Sequence, residues 1–152
     1  MIGCRPGEGA ALRWEHVSDD CKLVWIGEAY SRGELGPTKT SDARFLKLTR
    51  RLVELMKSRR SPDAGPNDLV FPACEGGYID DHNFRNRAWV KILDGLGIDY
   101  RKPYTMRHTF TSAALESGIS PVTVSSLTGH IVEMLYRHYA GNVNGLVDLP
   151  EL

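Results

Sequence analysis

The chain has 152 residues, the size of one domain with a single buried core. Its 19 basic and 19 acidic residues cancel, 25% of positions are charged and 41% are hydrophobic, which is the balance of an ordinary globular protein. No apolar run approaches a membrane span and no basic-then-apolar leader opens the chain. Three cysteines, Cys4, Cys21 and Cys74, are an odd number at spacings that fit no zinc pattern, so reduced thiols are expected.

The elements follow in chain order. Pro6 to Trp14 reads as a short helix, with Pro6 in its first turn and Glu8 near its positive end. A short strand near Trp14 to Val17, then Lys22 to Ile26 and Arg44 to Leu48, predict a small antiparallel sheet, with a glycine-containing loop over 27–41. Leu48, Leu52, Leu55 and Met56 recur at helical spacing, and a Pro, Gly and Ser-rich loop follows over 58–67. Asp81 to Leu96 is a predicted helix carrying Phe84, Trp89 and Ile92. Tyr104 to Ser117 is another, with Met106, Phe110, Ala113 and Ala114 as its apolar stripe. Gly118 ends it, Ser120 caps the next helix with Pro121 in first position, and a last helix runs from beyond His130 to about Tyr139. The tail over 141–152 reads as irregular. The fold class is α+β, mainly α-helical with a small antiparallel sheet near the N-terminus.

Charge is unevenly spread. Between Arg44 and Arg60 seven basic residues face one acid, Glu54, and a second basic group holds Arg85, Arg87, Lys91, Arg101, Lys102 and Arg107. A neutral chain can present a positive face in this way, and a solvated helix surface accounts for the same residues equally well.

Taken singly, no residue carries a chemistry. An Arg5–Glu8 pair is one helical contact, Arg107-His108 fits a surface pair, His130 fits a capping histidine, and Tyr139 fits a core position. Their order says more. The segments GCRPGEGAALRW (3–14), TKTSDARFLKL (38–48), YTMRHTFTSAALESGIS (104–120), LTGH (127–130) and MLYRHYAG (134–141) resemble successive motifs of the tyrosine recombinases of the phage-integrase type. His130 follows Arg107 by 23 positions and Tyr139 follows His130 by nine, and both spacings are similar to the family's.

The resemblance implies a single catalytic domain over 1–152 that cleaves and rejoins DNA, without the clamp domain and opening catalytic-domain helices that relatives place ahead of it. Arg5 and Arg107 would clamp the non-bridging oxygens of a phosphodiester and stabilise the growing charge. Tyr139 would attack, leaving a 3′-phosphotyrosyl link and a free 5′-hydroxyl. Because that link conserves the bond's energy and the arginines neutralise its charge, neither cofactor nor metal is implied. A phenol ionises near pH 10, and the arginines are expected to lower that value. A lysine must protonate the leaving 5′-oxygen; Lys39 fits best, with Lys22 and Lys47 as competitors. His130 matches the position that hydrogen-bonds the phosphate, Glu8 a supporting acid, and His108 a supporting residue beside the second arginine. Arg44, Arg50, Arg51, Arg85, Arg87 and Lys102 are expected to contact DNA.

One position departs from the family. Histidine usually stands three residues before the second arginine, and here it is Tyr104. A neutral phenol can hydrogen-bond a phosphate oxygen or relay a proton, but it is not the base that an imidazole is. Double-stranded DNA is the implied partner, and a chromosome- or phage-acting role implies a cytoplasmic location. Apolar Leu146, Val147 and Leu149 suggest docking onto a neighbouring copy, giving a homo-oligomer (a tetramer on DNA for the full-length protein).

Three other readings compete. Ser112 to Gly129 can be read as a helix-turn-helix, making the chain a non-catalytic DNA-binding protein or an inactive integrase remnant, but this leaves Arg5, Lys39 and Tyr139 unused. A type IB topoisomerase shares the chemistry but is less similar in these segments. A metal hydrolase finds no paired ligand spacing among His16, His82, His108, His130 and His138.

Overall fold

The computed structural model describes residues 3–39 and 43–139. Helix α1 spans Pro6–Ala10, and a 3-10 turn follows at Trp14–His16. Strands β1 (Leu23–Ile26), β2 (Glu28–Ser31), β3 (Glu34–Pro37) and β4 (Arg44–Lys47) come next. Helix α2 is Arg50–Arg59, and α3 (Asp81–Phe84) runs through a π-helical turn (Arg85–Trp89) into α4 (Val90–Gly95). The chain then forms α5 (Thr105–Glu116), α6 (Pro121–Thr128) and α7 (Val132–Tyr139).

The small sheet near the N-terminus is divided in two. β1 pairs antiparallel with β4, Val24 opposite Leu46, and β2 pairs antiparallel with β3, Tyr30 opposite Leu35. The expected loop over 27–41 therefore contains a hairpin. Its turn is Arg32-Gly33, both with positive φ (54° and 87°), the backbone of a two-residue hairpin that matches the strands' twist. Arginine is an unusual first residue for that turn, which hid it from the sequence.

The expected helix to Trp14 stops at Ala10, and the expected strand at 14–17 is the 3-10 turn with one bridge, Val17 to Val24. Arg13 bridges Leu69 instead, and the Trp14 N–H donates to Asp68 O at 3.0 Å. These pairings with the segment after α2 draw the chain out of helix.

Two cores result. Leu12, Trp14, Val24, Ile26, Leu46 and Met56 form the larger, between the β1–β4 ladder and α2. Ala114, Leu115, Val124, Leu135 and Tyr139 form the smaller, among α5, α6 and α7. Leu127, at the end of α6, packs on the larger core and so joins the two. Ser120 caps α6, its Oγ accepting from the Thr123 N–H at 3.2 Å.

The buried face of α5 is not the expected apolar stripe. Met106 is exposed, while Arg107 and Thr111 are buried with Ala114 and Leu115. Apolar periodicity failed here because the inward face holds a hydrogen-bonded guanidinium. On α4, similarly, Leu93 is buried and Ile92 exposed.

Candidate active site

The site forms where the two cores meet, around one turn. Gly129 closes α6 in the left-handed region, φ 68°, with its N–H on Ser125 O at 2.7 Å. Thr128, Gly129 and His130 each hold one of the groups brought here from distant segments. Arg107 Nη1 donates to Thr128 O (2.6 Å) and to Gly3 O (2.7 Å). Arg5 Nη2 donates to Gly129 O at 2.8 Å. Arg107 Nε donates to His130 Nε2 at 3.3 Å.

This geometry assigns the His130 proton. Thr128 Oγ1 gives its hydrogen to Val124 O (2.6 Å) and so accepts from His130 Nδ1 (2.9 Å), leaving Nε2 free to accept from Arg107. Burial first, then the charges of Arg107 and Arg5, hold the imidazole down at about 4, so it is neutral at pH 7. At rest, then, His130 orients Arg107. Arg107 is 1% exposed and its Nη2 has no partner among the described residues. Burial, and next the Arg5 charge, lower its pKa, yet a guanidinium stays protonated under any working condition.

Beneath Arg5 lies Glu8, 1% exposed. Its carboxylate accepts from Arg5 Nη1 (2.8 Å) and the Arg5 backbone N–H (2.8 Å), and from Arg44 Nη2 (2.7 Å). Burial would raise its pKa, but the hydrogen bonds from Arg44 and Arg5 outweigh it, and the carboxyl lies below its ordinary range. Arg44 also donates from Nε to Leu127 O at 2.9 Å. Arg44 was expected among DNA contacts; its side chain is only 9% exposed and is an internal strut instead. Nothing local marks this role, since β4 is charged at both ends, Arg44 and Lys47. Thr128, within LTGH, was likewise missed as the acceptor that sets the His130 tautomer.

Tyr139, in the last turn of α7, is buried and its Oη lies 2.5 Å from His108 Nδ1. Its pKa was expected to be lowered by arginine charge. It is raised, because burial outweighs the opposing Thr111 hydroxyl and Arg107. Tyr136, one turn earlier on α7, is exposed. Cys4, close by, is no competing nucleophile: burial and then the Glu8 charge push its thiol up to about 11.

A cleft of about 580 Å³ shares Arg5 with this site and is lined also by Lys39, Tyr104, Arg85 and Lys102, with Glu34 and Asp81 among them. It gathers three expected catalytic residues and two expected DNA contacts. Lys39 is exposed there, whereas Lys22 pairs with Asp20 at 3.0 Å and Lys47 is exposed at the end of β4. Arg50, paired with Glu54 at 3.0 Å, and Arg51 and Arg87 are exposed away from this cleft's lining. Of the basic run 44–60, Arg59 donates to Val70 O at 2.6 Å and Arg60 stacks over Trp14, so the run is not one free face.

One buried and one half-buried guanidinium and an imidazole thus meet at the Gly129 turn, with the Tyr139 ring 6.5 Å from that of His130, and such a set of donors suits an anion. Comparison with known proteins agrees. The phage integrase family matches residues 1–143, and the chain belongs to that family. A tyrosine recombinase XerC-like protein of Caldanaerobacter subterraneus subsp. tengcongensis is 27% identical over 90% of this chain and 42% of its own. An integrase of Streptomyces ambofaciens is 30% identical over the same shares. The Tn1549 transposon integrase, solved in complex with a circular intermediate DNA, superposes with a TM-score of 0.75 at 17% identity, over 91% of this chain and 50% of that one. The chain thus spans less than half the length of these curated relatives. Among the described residues no helix is long and apolar enough to cross a membrane, and no cluster of three or more His, Cys, Asp and Glu could hold a metal.

Proposed function

We propose that this chain is the catalytic domain of a site-specific DNA recombinase, in which Tyr139 attacks a phosphodiester held by Arg5 and Arg107. The observation that carries this reading is the Thr128–Gly129–His130 turn. It ties both guanidiniums and the imidazole to three consecutive residues, with the buried Arg107 Nη2 still without an acceptor among the described residues. An unpaired buried donor costs about 1–3 kcal/mol, and a phosphate oxygen would remove that cost.

The chemistry follows from this arrangement. Arg5 and Arg107 bind the non-bridging oxygens. The bound anion raises the proton affinity of His130, which as imidazolium donates from Nε2 to the phosphate. Oη of Tyr139 forms a bond to phosphorus as the bond to the 5′-oxygen breaks, and Lys39 protonates that oxygen from the cleft side. Reversal with a different 5′-hydroxyl joins a new strand. Arg85 and Lys102 extend the basic lining along the duplex, and Arg50, Arg51 and Arg87 contribute longer-range charge. Neither a metal nor a nucleotide enters the scheme. With less than half the length of its relatives to offer phosphate contacts, this chain alone binds DNA weakly and does not complete an exchange. Assembly of copies on DNA would involve the apolar tail, which lies outside the described residues.

The test is a pool of labelled random duplexes, each nicked so that the cleaved end diffuses away. A DNA adduct on Tyr139, absent from Tyr139→Phe, is the expected result. DNA retention without any adduct favours the non-catalytic alternative.

A further inference from the structure

Tyr139 must lose a proton as it attacks, and burial makes that harder. The usual histidine three residues before Arg107 is replaced by Tyr104, an exposed phenol at the start of α5. Both His130 nitrogens are committed elsewhere, Nδ1 to Thr128 and Nε2 to Arg107 at rest and to the phosphate in the scheme above. His108 is next to Arg107 on α5 but is turned toward α7, and its Nδ1 is 2.5 Å from the Tyr139 Oη. The Tyr104 ring stands edge-on to it, centroids 5.1 Å apart, and limits the imidazole's rotation.

We propose that His108 is the base that activates Tyr139, filling the place left by the missing histidine. This rests on the recombinase reading above. The phenolic proton passes from Oη to His108 Nδ1 while the Oη–phosphorus bond forms and the bond to the 5′-oxygen breaks. That oxygen takes its proton from Lys39. In rejoining, His108 returns its proton to Oη, so one imidazole serves both directions. Tyr104 acts as a positioning residue that holds the ring on its target.

The test uses the whole chain and thymidine 3′-(p-nitrophenyl phosphate), whose leaving group departs without a proton, so only the attacking side is read. Adduct mass on Tyr139 and nitrophenolate release are followed together. His108→Ala is expected to slow adduct formation about 10²- to 10⁴-fold, the usual contribution of a positioned base. His108→Asn, which keeps a polar side chain but no base, is expected to lose as much. Placing 3,5-difluorotyrosine at position 139, a more acidic phenol, is expected to recover most of the loss in either variant. Equal losses with tyrosine and difluorotyrosine would overturn the proposal, since His108 would then serve only to place the ring. Nitrogen NMR of labelled histidine gives an independent reading: Nδ1 of His108 should carry no proton, and its signal should move in Tyr139→Phe. A protonated Nδ1 would overturn the proposal, because a donor to Oη cannot accept from it. No adduct from the unmodified chain would refute the recombinase reading itself, and this one with it. An adduct formed at a rate indifferent to His108 would refute this one alone.

Discussion

Glu8→Gln is the sharpest probe of how the site is held. Glu8 is enclosed and receives three charge-assisted hydrogen bonds at 2.7–2.8 Å, from Arg5 side chain and backbone and from Arg44. Glutamine is nearly isosteric but offers one acceptor oxygen and turns an NH2 group toward a guanidinium that also donates. At least one strong bond is lost and two cations lose their counter-charge. Breaking a buried pair on one side costs about 3–5 kcal/mol. Arg5, 18% exposed, recovers some hydration, so the lower end of that range, about 3 kcal/mol, is expected. For a domain of this size that is a fall in Tm of roughly 6–12 °C. The sign with pH follows from the lowered carboxyl of Glu8: its stabilisation is fully present above the ordinary carboxyl range and is lost as pH falls through its folded-state value. The gap between the parent protein and the Glu8→Gln variant is therefore wide at pH 7 and closes in acid. Calorimetry at pH 7 and at about pH 3 reads both. A Tm loss under about 2 °C at pH 7, or a gap that does not narrow in acid, would refute the reasoning.

The other expectations concern single groups. His130 is held neutral with a value of about 4, so stability should fall as pH drops from about 6.5 toward 4, and His130→Gln should flatten that slope in thermal melts taken across the window. Tyr139→Phe should abolish any covalent DNA adduct on gels while changing stability by only about 1 kcal/mol in urea unfolding, the worth of its bond to His108. Lys39→Met should slow cleavage of ordinary DNA about 10²- to 10⁴-fold, and DNA with sulfur in place of the bridging 5′-oxygen should restore the rate. The same changes at Lys22 or Lys47 should leave ordinary cleavage intact, and a loss at either would move the acid away from Lys39.

Much of this site was legible in the sequence, but unevenly. The helices from Thr105 onward were readable because Gly118, Ser120 and Pro121 punctuate them with strong local signals. Arg5, Glu8, Arg107 and His130 could be named from their order, and the structure brings them together. What stayed hidden was set by tertiary partners. The Arg32-Gly33 hairpin uses a residue that turn preferences disfavour, and α1 ends early because Leu12 and Arg13 pair with the segment after α2. Arg44 read as surface charge because nothing local announces that it will meet a carboxylate 36 positions earlier. The direction of the Tyr139 shift was misjudged for the same reason: the charges nearby were visible in sequence, but its burial was not.

The Gly129 turn has a consequence for how such a protein can fail. A Cβ at Gly129 would sit 3.1 Å from Arg44 Nη1 and 3.4 Å from Arg5 Nη1, on a backbone that costs other residues about 1–2 kcal/mol. One methyl group there would crowd the Arg44 guanidinium and strain the turn whose carbonyls hold Arg5 and Arg107. Every residue named for its chemistry could remain in place and the centre would still be out of register. An inspection of catalytic letters alone would pass such a chain as intact, so the glycine between Thr128 and His130 belongs among the positions by which a working copy is told from a silent one.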